Sequence, residues 1–215
     1  MPPPTIYQFY VWLRGISPLI WRRLLLRSDQ SIADLPYALQ LAFGWSDSHL
    51  NRFRIHGKEF GVHHMGGPIF GQRADEIRLV DFRFRADERF LYEYDFGDCW
   101  EHRIRLERIR PLEPMRTYPV CIGGRRAVPP EDCGGVWAFQ QYRDEAPWRA
   151  QELLDEISEC VRERDATGLR DLVEEISTLH TWLRLDRFDR RKAIRRLRQY
   201  ATGDPEWQWP QGGAR

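Results

Sequence analysis

Two short runs of the chain concentrate side chains able to do chemistry. Tyr94-Asp95-Phe96-Gly97-Asp98-Cys99-Trp100-Glu101-His102 sets carboxylates, a histidine and aromatics around a turn glycine, more polar chemistry than a structural hairpin needs. At Pro129-Pro130-Glu131-Asp132-Cys133-Gly134-Gly135, prolines and glycines would hold two carboxylates on a stiff bend. Asp95, Asp98, His102, Glu131 and Asp132 form the candidate catalytic set, with Asp47 and His49 as further donors. Such groups suit either ligation of a divalent cation or general acid and base work on a polar substrate. A divalent metal is admitted as cofactor by these residue types, which assign no ligand set.

Each of these groups also has an ordinary task open to it. Asp98 belongs in a turn, Asp95 can tie down a hairpin, and the Pro-Pro-Glu-Asp bend can cap a helix starting near Gly135. His102 shares a strand face with Trp100, Ile104 and Leu106, where an imidazole needs a polar partner. Cys99 and His102, three residues apart on one strand, face opposite ways, which disfavours a thiol nucleophile. Cys121 and Cys133 have neither the short spacing nor the second pair of a zinc ribbon.

The elements that must position these residues read as follows. Ile6 to Leu13 and Leu19 to Leu26 are aromatic and branched runs separated by Gly15 and Pro18, predicting two strands. Ser31 and Asp34 have capping-box spacing, and Leu35, Ala38, Leu39, Ala42 and Phe43 recur at helical spacing until Gly44. His49 to His56 predicts a half-buried strand, followed by a glycine-rich loop from Gly57 to Gly71. Arg89 to Phe96 and Cys99 to Ile109 predict an antiparallel hairpin closed by Gly97-Asp98. A loop of even length would set Asp95 opposite Trp100 and Glu93 opposite His102, on one face with Leu91 and Ile104.

Beyond Gly135 the pattern turns helical: Val136 to Asp144, a second helix starting at Pro147, a third capped by Thr167, and a fourth starting at Asp189. On the last, Ala193, Ile194, Leu197 and Ala201 mark one face, while Arg191, Lys192, Arg195, Arg196 and Arg198 form a basic face of phosphate-binding character. A solvated basic face balancing the acidic helices before it is the competing reading. Trp21, Trp45, Trp100 and Trp137 with Arg22 and Arg23 could line a recognition groove, although most such indoles belong to cores.

Composition bounds the classes. The 215 residues carry a formal net charge of +1, so no global field draws the protein to DNA or anionic lipid. Hydrophobic content of 42% with 30% charge is ordinary for a globular protein. No signal-type apolar run or membrane span is present, and the four cysteines form no CxxC pair, which predicts a cytoplasmic protein with reduced thiols.

Four ordered motifs carry a resemblance: Ser17-Pro18-Leu19-Ile20-Trp21-Arg22-Arg23, Phe43-Gly44-Trp45-Ser46-Asp47-Ser48-His49-Leu50, the run from Tyr94 to His102, and Pro129 to Gly135. They resemble the plasmid pRi open-reading-frame-3-like family over roughly residues 6–142. The resemblance implies a compact α+β domain and no agreed activity. Many relatives place a cysteine before the double proline where this chain has Val128, which weakens any metal reading that needs that thiol. The resolvase label sometimes given to members finds no support here, since neither a serine-recombinase nor a tyrosine-recombinase motif is present.

The resulting expectation is an α+β fold, a mixed or antiparallel sheet with a packed helix followed by a helical C-terminal region. Its expected divisions are a domain over 1–145, a helical extension over 146–203 and a flexible tail over 204–215. The expected function is a binding module, plasmid-associated by its resemblance, that takes a protein or nucleic-acid partner. Its acidic-aromatic pocket would comprise Trp21, Arg22, Trp45, Asp47, His49, Glu93, Asp95, Trp100 and His102. The alternative is a metal-assisted hydrolase using the clustered acids and histidines.

Overall fold

The computed structural model describes residues 3–208. Among these, seven strands form one antiparallel sheet in the order β4-β3-β5-β6-β1-β2-β7. They are β1 (Ile6–Leu13), β2 (Trp21–Arg27), β3 (Asn51–Ile55), β4 (Lys58–Phe60), β5 (Arg89–Tyr94), β6 (Trp100–Arg110) and β7 (Val120–Arg125). Helix α1 (Leu35–Phe43) intervenes between β2 and β3, and α2 (Gly135–Glu163), α3 (Ala166–Asp171), α4 (Val173–Trp182) and α5 (Arg190–Thr202) follow the sheet. The fold is α+β. No helix among the described residues is long and apolar enough to cross a membrane.

Alternation along the strands explains the layering. Phe9, Val11, Leu13, Leu24, Phe53, Phe90, Ile104 and Leu106 are almost fully buried within a single cluster shared with α1 and α5. On β1 and its neighbours the intervening residues build a charged and aromatic face. There Glu107 accepts from Arg23 and Gln8, and Tyr10 lies 5.2 Å from Trp21. Part-buried pairs of this kind at a solvent-facing sheet surface add little each, about 0–1 kcal/mol, so the aromatic core carries the stability.

The Ser31–Asp34 box forms as predicted, but it lies one turn ahead of α1, whose N-cap is Asp34 with no side-chain cap bond of its own. Asp34 Oδ2 accepts from Ser31 N at 3.2 Å and from Ser31 Oγ at 2.7 Å, and Gly44 closes the helix in a left-handed conformation. Strands β4 and β7 were not anticipated. The first is cut from the glycine-rich loop, and the second lies in a stretch whose glycines, Gly123 and Gly124, mask a strand pattern.

The β5–β6 hairpin departs from expectation by one residue. Its loop is Asp95 to Cys99 rather than an even-length turn, closed by Cys99 N donating to Asp95 O at 2.7 Å. Tyr94 therefore pairs with Trp100, Tyr92 with His102 and Glu93 with Glu101. A one-residue slip exchanges the faces of a strand. His102 thus joins the core beside Tyr92, while Glu93 turns to the opposite face and takes Arg52 at 2.9 Å and Arg54 at 3.1 Å. The expected Glu93–His102 pair does not form.

The helical half also differs. Pro147 lies inside α2, a continuous helix through the anticipated 145/146 boundary, because the missing N–H removes one backbone bond without ending the helix. Asp165, not Thr167, caps α3 by accepting from Thr167 N and Gly168 N. Ala146, Leu153 and Leu179 form a small cluster of their own, reached from the main core through Trp182, 5.8 Å from Phe139. Asp189 caps α5 as predicted, accepting from Lys192 N at 2.8 Å. Of the segment expected as a tail, Pro205–Gln208 form a short 3-10 turn whose Trp207 packs on Tyr37 and Tyr200; residues 209–215 fall outside the described residues.

The hairpin loop docks directly on the start of α2. Asp98 Oδ2 accepts from Gly134 N at 3.2 Å, and a Cβ at Gly135, where φ is +78°, would stand 2.8 Å from Asp98 O. Gly135→Ala should therefore cost about 2–3 kcal/mol, combining left-handed strain with a backbone clash. Gly44→Ala, also at positive φ but with nothing within 4 Å, should cost only about 1–2 kcal/mol. Urea denaturation of both variants compares the two, and equal losses would rule out the close approach.

His102 generates a pH prediction. It is completely buried against Phe43, Trp45 and Tyr92, with no well-formed hydrogen bond at either ring nitrogen, and burial pushes its pKa down to about 3 against a smaller upward pull from the nearby Tyr92 and Trp100 main chain. The unfolded chain takes up this proton near pH 6.5 and the native chain does not. Stability should accordingly fall from about pH 7 toward pH 3 and this contribution should level off below, a loss on the order of 4 kcal/mol. His102→Leu should flatten that slope in denaturation measured at pH 7, 5.5 and 4; an unchanged slope would assign acid sensitivity elsewhere.

Candidate functional site

The two acidic runs meet in space. Asp95 occupies a left-handed conformation, φ 58°, which a short polar side chain tolerates. Its Oδ1 accepts from Gly97 N at 2.9 Å and Asp98 N at 3.3 Å, tying the loop from inside. Oδ2 faces His49 Nδ1 at 3.7 Å. From the other side Asp132, also at positive φ, brings Oδ1 to 3.5 Å from His49 Nε2. Both separations are too long for hydrogen bonds, and Nε2 is buried without a partner.

Glu131 fixes this arrangement. Its Oε1 accepts from Ser46 N at 3.0 Å and from the Tyr94 hydroxyl at 2.7 Å, and its Oε2 accepts from Ser46 Oγ at 2.6 Å. Trp45 Nε1 donates to Pro129 O at 3.2 Å, so the loop after α1 is clamped to the double-proline bend twice. Trp45 stacks on Tyr94 at 4.8 Å, and the His49 ring meets Tyr94 edge-on at 5.6 Å. Burial and then the Glu131 carboxylate raise the Tyr94 pKa, which keeps its hydroxyl a donor.

The imidazole of His49 is thus bracketed by two carboxylates, one anchored by the main chain and one, Asp132, with its side chain 77% exposed. One donor atom from each of His49, Asp95 and Asp132 lies within 4.8 Å of the others, the only such group among the described residues. Nitrogen and oxygen donors at this spacing fit a first-row divalent cation with positions left open. Equally, Asp95 could accept from Nδ1–H and aim the Nε2 lone pair outward.

The other expected site residues take different places. Asp98 and Glu131 are engaged in the docking contacts above. His102 and Trp100 lie in the core beneath the site, and the Trp100 indole N–H has no hydrogen-bond partner. Glu93 lies across the sheet with arginines. Trp21 is half-buried on the charged face and Trp137 is 86% exposed, so the four indoles do not line one groove. Arg22 is entirely buried between Phe188, 3.7 Å from its guanidinium, and Phe43, at 4.8 Å, and burial pushes its pKa down to about 9. Cysteine chemistry is not favoured at the bend, where burial and then Asp98 push the Cys133 thiol up to about 11.

Trp45 and Asp47 line a separate cavity of about 220 Å³ with Tyr37, Gln40, Arg196 and Trp207. Asp47 is exposed overall, but partial desolvation of its carboxyl against the cavity wall raises its pKa. Of the basic set on α5, Arg191, Arg195 and Arg198 are exposed and Lys192 is half-buried, but Arg196 is only 6% exposed and leaves the expected solvent face. Sequence reasoning missed Ser46, Tyr37, Gln40 and Trp207. Ser46 lies within the quoted Phe43 to Leu50 motif, whereas Trp207 fell in the presumed tail.

Comparison with known proteins agrees with this architecture. A family model described as plasmid pRiA4b ORF-3-like protein matches residues 5–167. The uncharacterized protein y4hQ of Sinorhizobium fredii is 33% identical over 158 residues, 70% of this chain and 80% of that protein. The crystal structure of a protein of unknown function, MM3350 from Methanosarcina mazei Go1, superposes with a TM-score of 0.63 at 30% identity, covering 88% of this chain and 96% of that one. The chain belongs to the plasmid pRiA4b ORF-3-like family.

Proposed function

We propose that the protein is a binding module whose ligand contact depends on a divalent cation held by His49, Asp95 and Asp132. The observation that carries this reading is the His49 imidazole set between carboxylates of two separate loops, Asp95 facing Nδ1 and Asp132 facing a buried Nε2 that has no hydrogen-bond partner. Burying an imidazole nitrogen without a partner is costly, and a cation shared with Asp132 would satisfy it. Three protein donors leave coordination positions for an oxygen of a protein or nucleic-acid partner. The rigid supports, Glu131 on Ser46 and Tyr94 and the tied Asp95 loop, provide the fixed geometry that metal ligation requires.

A second reading rests on the same open positions. A cation with three protein ligands can carry a water whose pKa it lowers, which makes metal-assisted hydrolysis the alternative activity. In that reading Asp132, the exposed ligand, stands at the solvent side, while Asp98, Glu131 and His102 keep their structural contacts.

Titration of metal-free protein with Mn²⁺ and Zn²⁺ should give one saturable site. His49→Gln and Asp132→Asn should each weaken it by roughly 10–100-fold. Because Asp132 is exposed, Asp132→Asn should hold metal-free stability within about 0.5 kcal/mol, which separates ligand loss from unfolding. Absence of saturable binding of either ion at millimolar concentration, or unchanged affinity in both variants, would remove the metal from the proposal. Metal-dependent turnover of a phosphate ester, lost in Asp132→Asn, would select the hydrolase.

A further inference from the structure

A second site, independent of the His49 cluster, follows from two buried cations. Arg22 is completely buried and gives its hydrogen bonds to main-chain carbonyls: Nε to Ala42 O at 2.9 Å, and Nη1 to Trp21 O at 2.8 Å and Arg125 O at 3.1 Å. Arg196 reaches only Trp45 O, at 3.4 and 3.5 Å, and Trp207 O at 3.4 Å, and its Nε has no partner at all. Neither forms an ion pair with a carboxylate among the described residues. Guanidiniums removed from water without an ion pair are among the costlier features a fold can retain, and Arg196 has only the non-contacting Glu131 carboxylate as a counter-charge.

Both line one cavity of about 190 Å³ between the C-terminal end of α1 and the N-terminus of α5. Arg187 and Lys192 line it as well, and the single acid there, Asp189, already accepts from Lys192 N at 2.8 Å. Its walls include Phe43 and Phe188, so charges here act in a poorly screened setting. The N–H groups of Arg190, Lys192 and Ala193 in the first turn of α5 already have partners, so that helix of 13 residues contributes the positive end of its dipole rather than free main-chain donors.

We propose that this cavity binds a phosphoryl group, either free phosphate or the terminal phosphate of a larger ligand. A tetrahedral dianion can accept from cations along several directions, and Arg22 on β2 and Lys192 and Arg196, one turn apart on α5, all line this cavity, whereas a planar monocarboxylate would satisfy one fork. Binding at this position compensates charges that the fold already buries, so it should raise stability as well as occupancy.

The experiment is thermal denaturation and calorimetric titration of the full chain with inorganic phosphate, phenyl phosphate, acetate and chloride at matched ionic strength. Phosphate or phenyl phosphate should raise Tm by several degrees at millimolar concentration, beyond acetate and chloride. A phenyl phosphate affinity at least tenfold above that of phosphate identifies a larger ligand as the source; equal affinities identify the free ion. Lys192→Ala, at a half-buried position, should keep the ligand-free Tm and weaken binding at least fivefold, and Arg196→Met should abolish the response. Equal responses to phosphate, acetate and chloride would overturn the proposal, as would Lys192→Ala binding phosphate like the unaltered protein, whether or not Arg196→Met folds.

Discussion

The register between β5 and β6 is the constraint on which the rest of the molecule depends. It is set by a loop that Asp95 closes from within, accepting from Gly97 N and Asp98 N while its main-chain oxygen takes the Cys99 N–H. With that loop at five residues, Tyr92, Tyr94, Trp100 and His102 all turn to the core face, and Trp45 and Phe43 close over them. Only then does the Tyr94 hydroxyl reach Glu131, and only then does Asp98 meet the turn before α2. Hairpin, double-proline bend and the loop after α1 are therefore one mechanical unit, whose common element is a carboxylate serving main-chain donors.

That unit divides its acids by task. Asp95 spends one oxygen on the loop and leaves the other facing His49; Glu131 spends both on Ser46 and Tyr94. Asp132, with its side chain mostly in solvent, is committed to nothing but the neighbouring imidazole. The chemistry available to the site follows from which acids remain uncommitted, and this differs from which acids are close in sequence.

Much of the fold was legible because its signals are local. The capping residues Ser31, Asp34 and Asp189, the stop at Gly44 and the alternation of β1 all act within a few residues of where they are read. The convergence of the Asp95 and Asp132 runs was also legible, as two stiff, polar bends that a structural role alone did not require. The register was not, because Gly97-Asp98 suits a two-residue turn as well as the interior of a longer loop. Pro147 misled for a related reason: helix-start chemistry and a tolerated interior proline look alike until packing decides between them. Arg196 sits three residues after Ala193 and beside Leu197, so it borders the apolar stripe, and a basic residue at such a border can fall on either side. Tertiary packing drew it inward.

The separate cluster of Ala146, Leu153 and Leu179 bears on how the molecule breathes. Outer α2, α3 and α4 rest on this small apolar patch and on Trp182, while nearly all other large buried side chains belong to the sheet side. Conformational openings of that arm need not disturb the strands, so its amides should exchange with solvent through a cheaper excursion than global unfolding. A protease would find its first cuts there, and the sheet with its clamped acidic loops would survive as the resistant fragment.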